Sequence, residues 1–354
     1  MNTSRAPGAD VLVLVDDPLV LASVRRVAAA VDFSVDEVDH PVARQRWNQA
    51  SAIVLDSSAA EFSSSRFPRR PRMFVVCEGE PTVDDWKSAT ALGAERVVSL
   101  PANENELVTL LGTRVETGRR GTVLSVVGGC GGAGASVCAA AIALTSASRQ
   151  IETLLVDIDP FGSGADVLLG MESAPGPRWG ALTIERGRLS PDSLRDALPS
   201  RGNFLRVLAS SRSETEGPTT AAAGAVVEAG SSSGGLVICD VPRQRSSVGE
   251  TVLGLSDFVL VVVPATVAAC VAAEKIGAWV SRNNSKTGIL VRGPAPGGLR
   301  GIDVADMLGL PLVAVMRGRR NLGAMLERGG LQLARGCPLR TAAAEVLDAV
   351  EAAA

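Results

Sequence analysis

Short apolar runs recur along this chain, separated by stretches in which apolar residues return at helical spacing. In the first part the runs are Val11–Val15, Ala52–Leu55, Met73–Cys77 and Arg96–Leu100, rich in Val, Ile and Leu. Helical patterns lie between them, for example Pro18–Ala30 and Asn103–Leu111. Strand, helix and strand at this spacing predict a parallel sheet covered on both faces. Residues 113–121 (TRVETGRRG) are charged and flanked by glycine, and read as a linker. A second series begins at Thr122, with strand-like runs at Val123–Val127, Thr153–Val156, Leu205–Leu208, Leu236–Cys239, Phe258–Val263, Gly288–Val291 and Leu312–Val315. Segment 211–235 is small and polar, and reads as loops around one short helix near 219–229. The pattern predicts an α/β chain in three pieces: a domain over 1–112, the linker 113–121 and a second domain over 122–354.

Composition narrows the chemistry. The 354 residues are 46% hydrophobic, enough for two cores. The formal net charge is −3, which gives no electrostatic reason to expect nucleic acid as a partner. One histidine, His40, and no tyrosine nearly exclude histidine triads and His-rich metal sites. The six cysteines form no CxxC pair; several sit in apolar runs, as reduced, buried thiols of a cytoplasmic protein would. The N-terminus has no apolar signal segment, and the longest apolar stretch, Phe258–Ala273, is broken by Pro264. Residues 339–354 are alanine-rich and acidic, so no direct membrane anchor is expected. Lysine occurs only at 87, 275 and 286; the other cations are arginines.

Two places concentrate candidate chemistry. In the first half Asp16, Asp17 and Asp56 fall at strand ends, the ligand edge of a parallel sheet, where three acids could hold Mg²⁺. In the second half, Gly129, Cys130, Gly131, Gly132, Ala133, Gly134, Ala135, Ser136 and Val137 join a strand to an apolar helix. Such a loop gathers backbone N–H groups at a helix N-terminus and makes an anion site. Gly129 and Gly134 keep the spacing of a phosphate loop and Ser136 keeps its hydroxyl, but Ala135 stands where the lysine belongs. Without ligand the same residues make a glycine-tight turn. Cys130, near a helix N-terminus, is a small loop residue or a thiol of lowered pKa. Arg66, Arg69, Arg70 and Arg72 read as a solvated loop, and Arg317, Arg319 and Arg320 as a contact patch for an acidic partner.

VLVLVDDPLVLASVRRV, AIVLD and VVSLPANENELVTLL, over about residues 10–112, resemble a response-regulator receiver of flavodoxin-like fold. The resemblance implies a phosphoryl acceptor at Asp56. It puts Leu100 at the lysine position before Pro101, and Cys77 or Glu78 at the hydroxyl position. A phosphoaspartate without that lysine lacks its charge-assisted partner, so a docking module is the reading preferred over a phospho-switch. The glycine loop resembles the deviant phosphate loop of the MinD/ParA family, and the resemblance runs over about 122–345. It implies a P-loop NTPase fold with a mostly parallel sheet, and it puts the family's second, opening lysine at Cys130. Leu154–Pro160 resembles the second strand and switch, with Asp157, Asp159 and, further on, Asp166; Leu236–Pro242 resembles the Walker B strand, with Asp240. Asp257-Phe258 with its strand to Pro264, and Gly309–Leu312, resemble later landmarks, whereas Arg292-Gly293 replaces the adenine-side asparagine. The resemblance implies weak ATP or ADP binding, with Mg²⁺ held by Ser136 and Asp240 only when nucleotide is present, and a possible homodimer. It assigns no side chain to catalysis. The pairing of the two modules resembles CpaE-like proteins of pilus and secretion systems, and more narrowly the actinobacterial septum-site-determining group. That implies division or pilus/secretion proteins as partners and recruitment to a membrane or pole by one of them. An active ATP-dependent dimerisation switch and a phospho-switch at Asp56 remain the alternatives.

Overall fold

The computed structural model describes the chain apart from residues 1–9, 39–41, 43–45, 48–49, 65, 68–69, 71, 113–120, 183–188, 211–216, 233, 319–320 and 354. It divides into two compact units, Met1–Glu116 and Thr117–Ala354. No helix among the described residues is long and apolar enough to cross a membrane.

The first unit holds β1 (Asp10–Leu14), β2 (Ser34–Glu37), β3 (Ala52–Leu55), β4 (Met73–Glu78) and β5 (Arg96–Leu100). They form one parallel sheet in the order β2-β1-β3-β4-β5. Successive side chains of a strand point to opposite faces, so each strand feeds two cores. Val11, Val13, Val54, Phe74 and Val98 pack on one face with Leu107 and Leu111, while Leu12, Leu14, Ile53, Leu55 and Val75 pack on the other with Trp47. The edge strand β2 reads SVDE and is half exposed, which is why it leaves no apolar run in the sequence.

The basic run is not a solvated loop. Arg70 donates to the carbonyls of Trp47 and Ala50, and Arg72 donates to the carbonyl of Leu111 at 2.7 Å. Arg66 lies 3.6 Å from the centre of the Phe62 ring. These guanidiniums tie chain segments together through carbonyls and a ring, a use that composition cannot reveal. Arg69 lies outside the described residues, as do His40 and linker residues 113–120.

The second unit holds seven parallel strands: β6 (Thr122–Gly128), β7 (Thr153–Asp157), β8 (Leu205–Leu208), β9 (Leu236–Val241), β10 (Phe258–Pro264), β11 (Thr287–Arg292) and β12 (Leu312–Met316). Their order is β12-β11-β10-β6-β9-β7-β8. The most apolar strands, β10 (FVLVVVP) and β6, lie at the centre, where both faces are covered. Helix Ala135–Ser148 follows β6 and buries small residues at Cys138–Ala143. Helix Pro338–Ala353 packs beside it through Leu339, Ala342, Ala343 and Val346, and Arg149 pairs with Asp348 at 2.7 Å. In segment 211–235 the helix is longer than expected, running from Thr220 to Ser232, because Ala223, Val226, Val227 and Ala229 bury a continuous face.

Candidate functional site

The two ends of β6 differ in kind. Its carboxyl end opens into Gly129–Gly134, and there the chain turns into helix Ala135–Ser148. Gly129 lies against helix Val267–Asn283: a Cβ on it would stand 2.8 Å from the Ala273 Cβ and 3.2 Å from the Val262 carbonyl oxygen. Its N–H donates to that same carbonyl at 2.9 Å, which fixes the root of the loop. Gly134 has φ +90°, a backbone that side-chained residues adopt only with strain. It occupies the cap position of the helix and offers no side-chain acceptor to the first N–H groups. Gly131, Gly132 and Ser136 are exposed, so the loop's outer face is open to a ligand. Cys130 is half-buried, and Cys270 on the neighbouring helix feels its charge. No cationic side chain stands at 130 or 135.

The acids assemble beside it. Asp157 ends β7 and Asp240 lies near the end of β9, and the two are paired in register on adjacent strands. Both are buried. Asp157 accepts N–H bonds from Asp159 at 3.0 Å and Ala165 at 2.9 Å, one on each carboxylate oxygen. The Trp179 indole N–H donates to its carbonyl at 2.6 Å. Asp157 therefore shapes the turn that follows β7. Asp159 is half-buried, accepts the Phe161 N–H at 2.9 Å and acts by its charge on both Asp157 and Asp240. The Ser136 hydroxyl bonds to Asp240, which links the loop to the acids. Asp166 faces elsewhere: its carboxylate is buried in a two-point ion pair with Arg178, at 2.9 and 3.1 Å.

Burial, and then the neighbouring Asp240 charge, push the Asp157 carboxyl up to about 7. Burial pushes Asp240 up to about 6; the Ser136 hydrogen bond opposes this and the Asp159 charge adds to it. Between the ordinary carboxylate range and about 7, the native chain thus keeps protons that the unfolded chain releases. Its stability falls as pH rises through that window and is lowest above it. The melting temperature is expected to be higher near about pH 5.5 than near about pH 8, and Asp240→Asn is expected to flatten the slope. Thermal unfolding followed across that range checks this; a melting temperature that rises toward alkaline pH would overturn it.

Among the described residues no three acidic, His or Cys side chains form a metal site by themselves. Mg²⁺ nevertheless fits by donor chemistry: the Ser136 hydroxyl and Asp240 carboxylate are hard oxygen ligands, and phosphate oxygens and water would complete the shell. Beside the loop lies a cavity of about 290 Å³, whose walls include Gly134, Val137, Pro264, Arg292 and Met316. Arg317 is exposed at this cavity, and Arg319 and Arg320 lie outside the described residues. Two arginines approach the loop itself, Arg243 near Gly131 and Arg292 near Gly134. Nothing in the local sequence pattern pointed to the first. It marked the second only as a replacement for asparagine.

In the first unit Asp17 and Asp56 serve the backbone. Asp17 caps helix Pro18–Ala30, accepting from the N–H groups of Leu19 and Val20. Asp56 accepts from Asp16 N–H, Ser58 Oγ and Ala59 N–H at 2.8–2.9 Å. Leu100 is fully buried, and Cys77 is a half-buried thiol whose pKa burial pushes up.

Comparison with known proteins bears on both units. Residues 14–122 match the family model described as Rv3660c-like, CheY-like N-terminal domain. Rv3660c of Mycobacterium tuberculosis (strain ATCC 25618 / H37Rv) is 40% identical over 344 residues, covering 94% of this chain and 96% of that protein. The chain belongs to the Rv3660c-like family. Solved structures match its second unit at the level of fold. The Pyrococcus furiosus cell division ATPase MinD superposes with a TM-score of 0.55 at 15% identity, over 66% of this chain and 100% of that one. A ParA family ATPase from Chlorobium tepidum TLS gives 0.53 at 18%, over 65% and 98%. The MinC:MinD cell division complex of Aquifex aeolicus gives 0.52 at 19%, over 65% and 96%. This Rv3660c-like protein thus joins a CheY-like module to a MinD/ParA-like α/β fold with a parallel sheet.

Proposed function

We propose that this Rv3660c-like chain is a spatial regulator of septum placement or of polar pilus or secretion machinery, of the CpaE-like, septum-site-determining kind. In this reading it works as a scaffold on a degenerate MinD/ParA-like nucleotide site. The observation that carries the reading is the glycine loop. It has an intact strand-loop-helix course, a Ser136–Asp240 link and no cation at 130 or 135. Phosphoryl transfer is driven by positioning and by positive charge on the phosphates, so a loop built this way holds nucleotide weakly and turns it over slowly or not at all. Structural neighbours named for cell division and for a MinC partner support a division protein or a second copy of the chain as the thing it docks on. The Asp17 and Asp56 carboxylates, which accept backbone N–H groups, support a docking module there rather than a phospho-switch at Asp56.

Two measurements test this. Purified protein is expected to bind MgATP with a dissociation constant weaker than ~10 μM. Its turnover is expected to stay below about 10⁻³ s⁻¹, the order of a GTPase without its arginine finger. Faster hydrolysis that disappears in Asp240→Ala would replace the scaffold with a working ATPase switch. A fluorescent fusion is expected at the septum or pole, and a uniform signal would remove the spatial role.

A further inference from the structure

The lysine-free loop is approached by two arginines from opposite sides of the sheet order. β9 is the neighbour of β6 on one side, paired along its length from Thr122↔Leu236 to Val127↔Val241. The chain leaves β9 through Val241-Pro242-Arg243, so Arg243 emerges at the same sheet edge as the loop. Its Nη2 stands 3.7 Å from where a Cβ on Gly131 would lie. On the other side β10 and then β11 follow β6, and Arg292 is the last residue of β11. Its Nη1 stands 3.4 Å, and its Cδ 3.8 Å, from where a Cβ on Gly134 would lie. One guanidinium thus meets the middle of the loop and the other its helical end.

Among the described residues, neither Arg243 nor Arg292 makes an ion pair or a side-chain hydrogen bond, although Arg25, Arg178 and Arg300 each bind a carboxylate at two points. Arg292 is half-buried, which for an unpaired charge is a cost that an anion would offset. It also forms a wall of the cavity of about 290 Å³, whose other walls include Val137, Pro264 and Met316. That volume lies at the small end of ligand cavities, which begin at about 300 Å³. It suits a flat base with its sugar, with the phosphates leading out past Gly134 to the open glycines.

We propose that Arg243 and Arg292 bind the phosphate chain of a nucleoside di- or triphosphate at this loop, carrying the charge that lysines at 130 and 135 would have carried. The proposal rests on the reading that the loop takes nucleotide. A guanidinium presents a planar fork of donors that matches phosphate oxygens at two points, and its charge is not lost at any ordinary pH. Both cations come from the chain itself, so charge at this site does not depend on a second copy. Each arginine reaches in from the edge of the loop, whereas a lysine at 135 would rise from its floor. Arginines so placed hold a phosphate chain in place and leave the bridging oxygens without a cation beneath them.

Calorimetric titration of the full chain with MgATP, MgADP and adenosine tests the assignment. The unmodified protein is expected to saturate with MgATP. Arg243→Ala and Arg292→Ala are each expected to weaken it about tenfold, and the double variant roughly a hundredfold; Arg243→Ala, outside the cavity wall, is expected to leave adenosine binding unchanged. Arg292→Lys, which keeps the charge but not the fork, is expected to keep part of the affinity, and Ala135→Lys placed in the Arg292→Ala chain is expected to restore it. A purely structural role for Arg292 would show neither recovery. Unmodified protein that binds MgATP, with both alanine variants binding it equally well, overturns this assignment and leaves the nucleotide reading standing. A loss of adenosine affinity in Arg292→Ala as large as its loss of MgATP affinity overturns the phosphate role of that residue. Unmodified protein that does not saturate at millimolar MgATP removes the nucleotide reading and this assignment together. Matched melting temperatures establish that the variants are folded.

Discussion

A chain carrying Ala135→Lys and Cys130→Lys is expected to bind MgATP about thirtyfold more tightly than the unmodified protein. Residue 135 is the first of helix Ala135–Ser148, at the point where loop and helix N–H groups converge. Backbone dipoles, partial helix charge and the two arginines proposed above attract an anion there, but Arg243 and Arg292 approach at Gly131 and Gly134 and leave position 135 itself without a cation. Buried charge pairs are typically worth about 2–5 kcal/mol. Ala135 is half-buried, so the lower end applies, and about 2 kcal/mol is roughly thirtyfold. Cys130 contributes less, since it packs on the core that includes Cys270 and Ala273, and a lysine there reaches solvent before it reaches the loop's centre. Calorimetry on the two single variants and the double separates the contributions. Unchanged affinity in all three would mean that the loop is closed to phosphate and serves only as a turn.

The sequence carried the fold through its apolar runs. Every fully buried strand of the two sheets announced itself, because a central parallel strand carries mostly apolar residues on both faces. What failed to announce itself was β2, a half-exposed edge with the sequence SVDE. The loop Gly129–Gly134 and the acids Asp157, Asp159 and Asp240 were legible because they follow apolar strands and must lie at one sheet edge. Asp166 belonged to the same stretch of sequence, yet it pairs with Arg178, whose approach depends on the course of the chain after the turn. Arg243 and Arg292 lie more than a hundred residues from the loop along the chain. Only strand order brings them to it, and strand order is a long-range property that local pattern does not encode. In the first unit, the spacing of Asp16, Asp17 and Asp56 was visible, but the N–H bonds that the Asp17 and Asp56 carboxylates accept were not. An acid before a helix is as good a cap as it is a ligand.

The pair Asp166–Arg178 carries the largest stability effect expected in the chain. Its carboxylate is 3% exposed and its guanidinium 18% exposed. Arg178 also donates to the carbonyls of Ala174 and Gly176, so it closes the stretch between helix Ala165–Leu168 and Trp179. Trp179 in turn holds the Asp157 carbonyl, which connects this stretch to the acids beside the loop. Arg178→Ala takes the cation away from a buried carboxylate and removes the donor to the carbonyls of Ala174, Gly176 and Met171. Removing one member of a buried ion pair typically costs about 3–5 kcal/mol. The cost comes from the charge left behind more than from the attraction lost. Asp166→Asn in the Arg178→Ala background is therefore expected to recover about half of the loss, by removing that charge while keeping a hydrogen-bonding group. Urea unfolding of the single and double variants measures both steps. An Arg178→Ala chain within about 1 kcal/mol of the original would mean that water reaches Asp166 and that the pair behaves as a surface bridge.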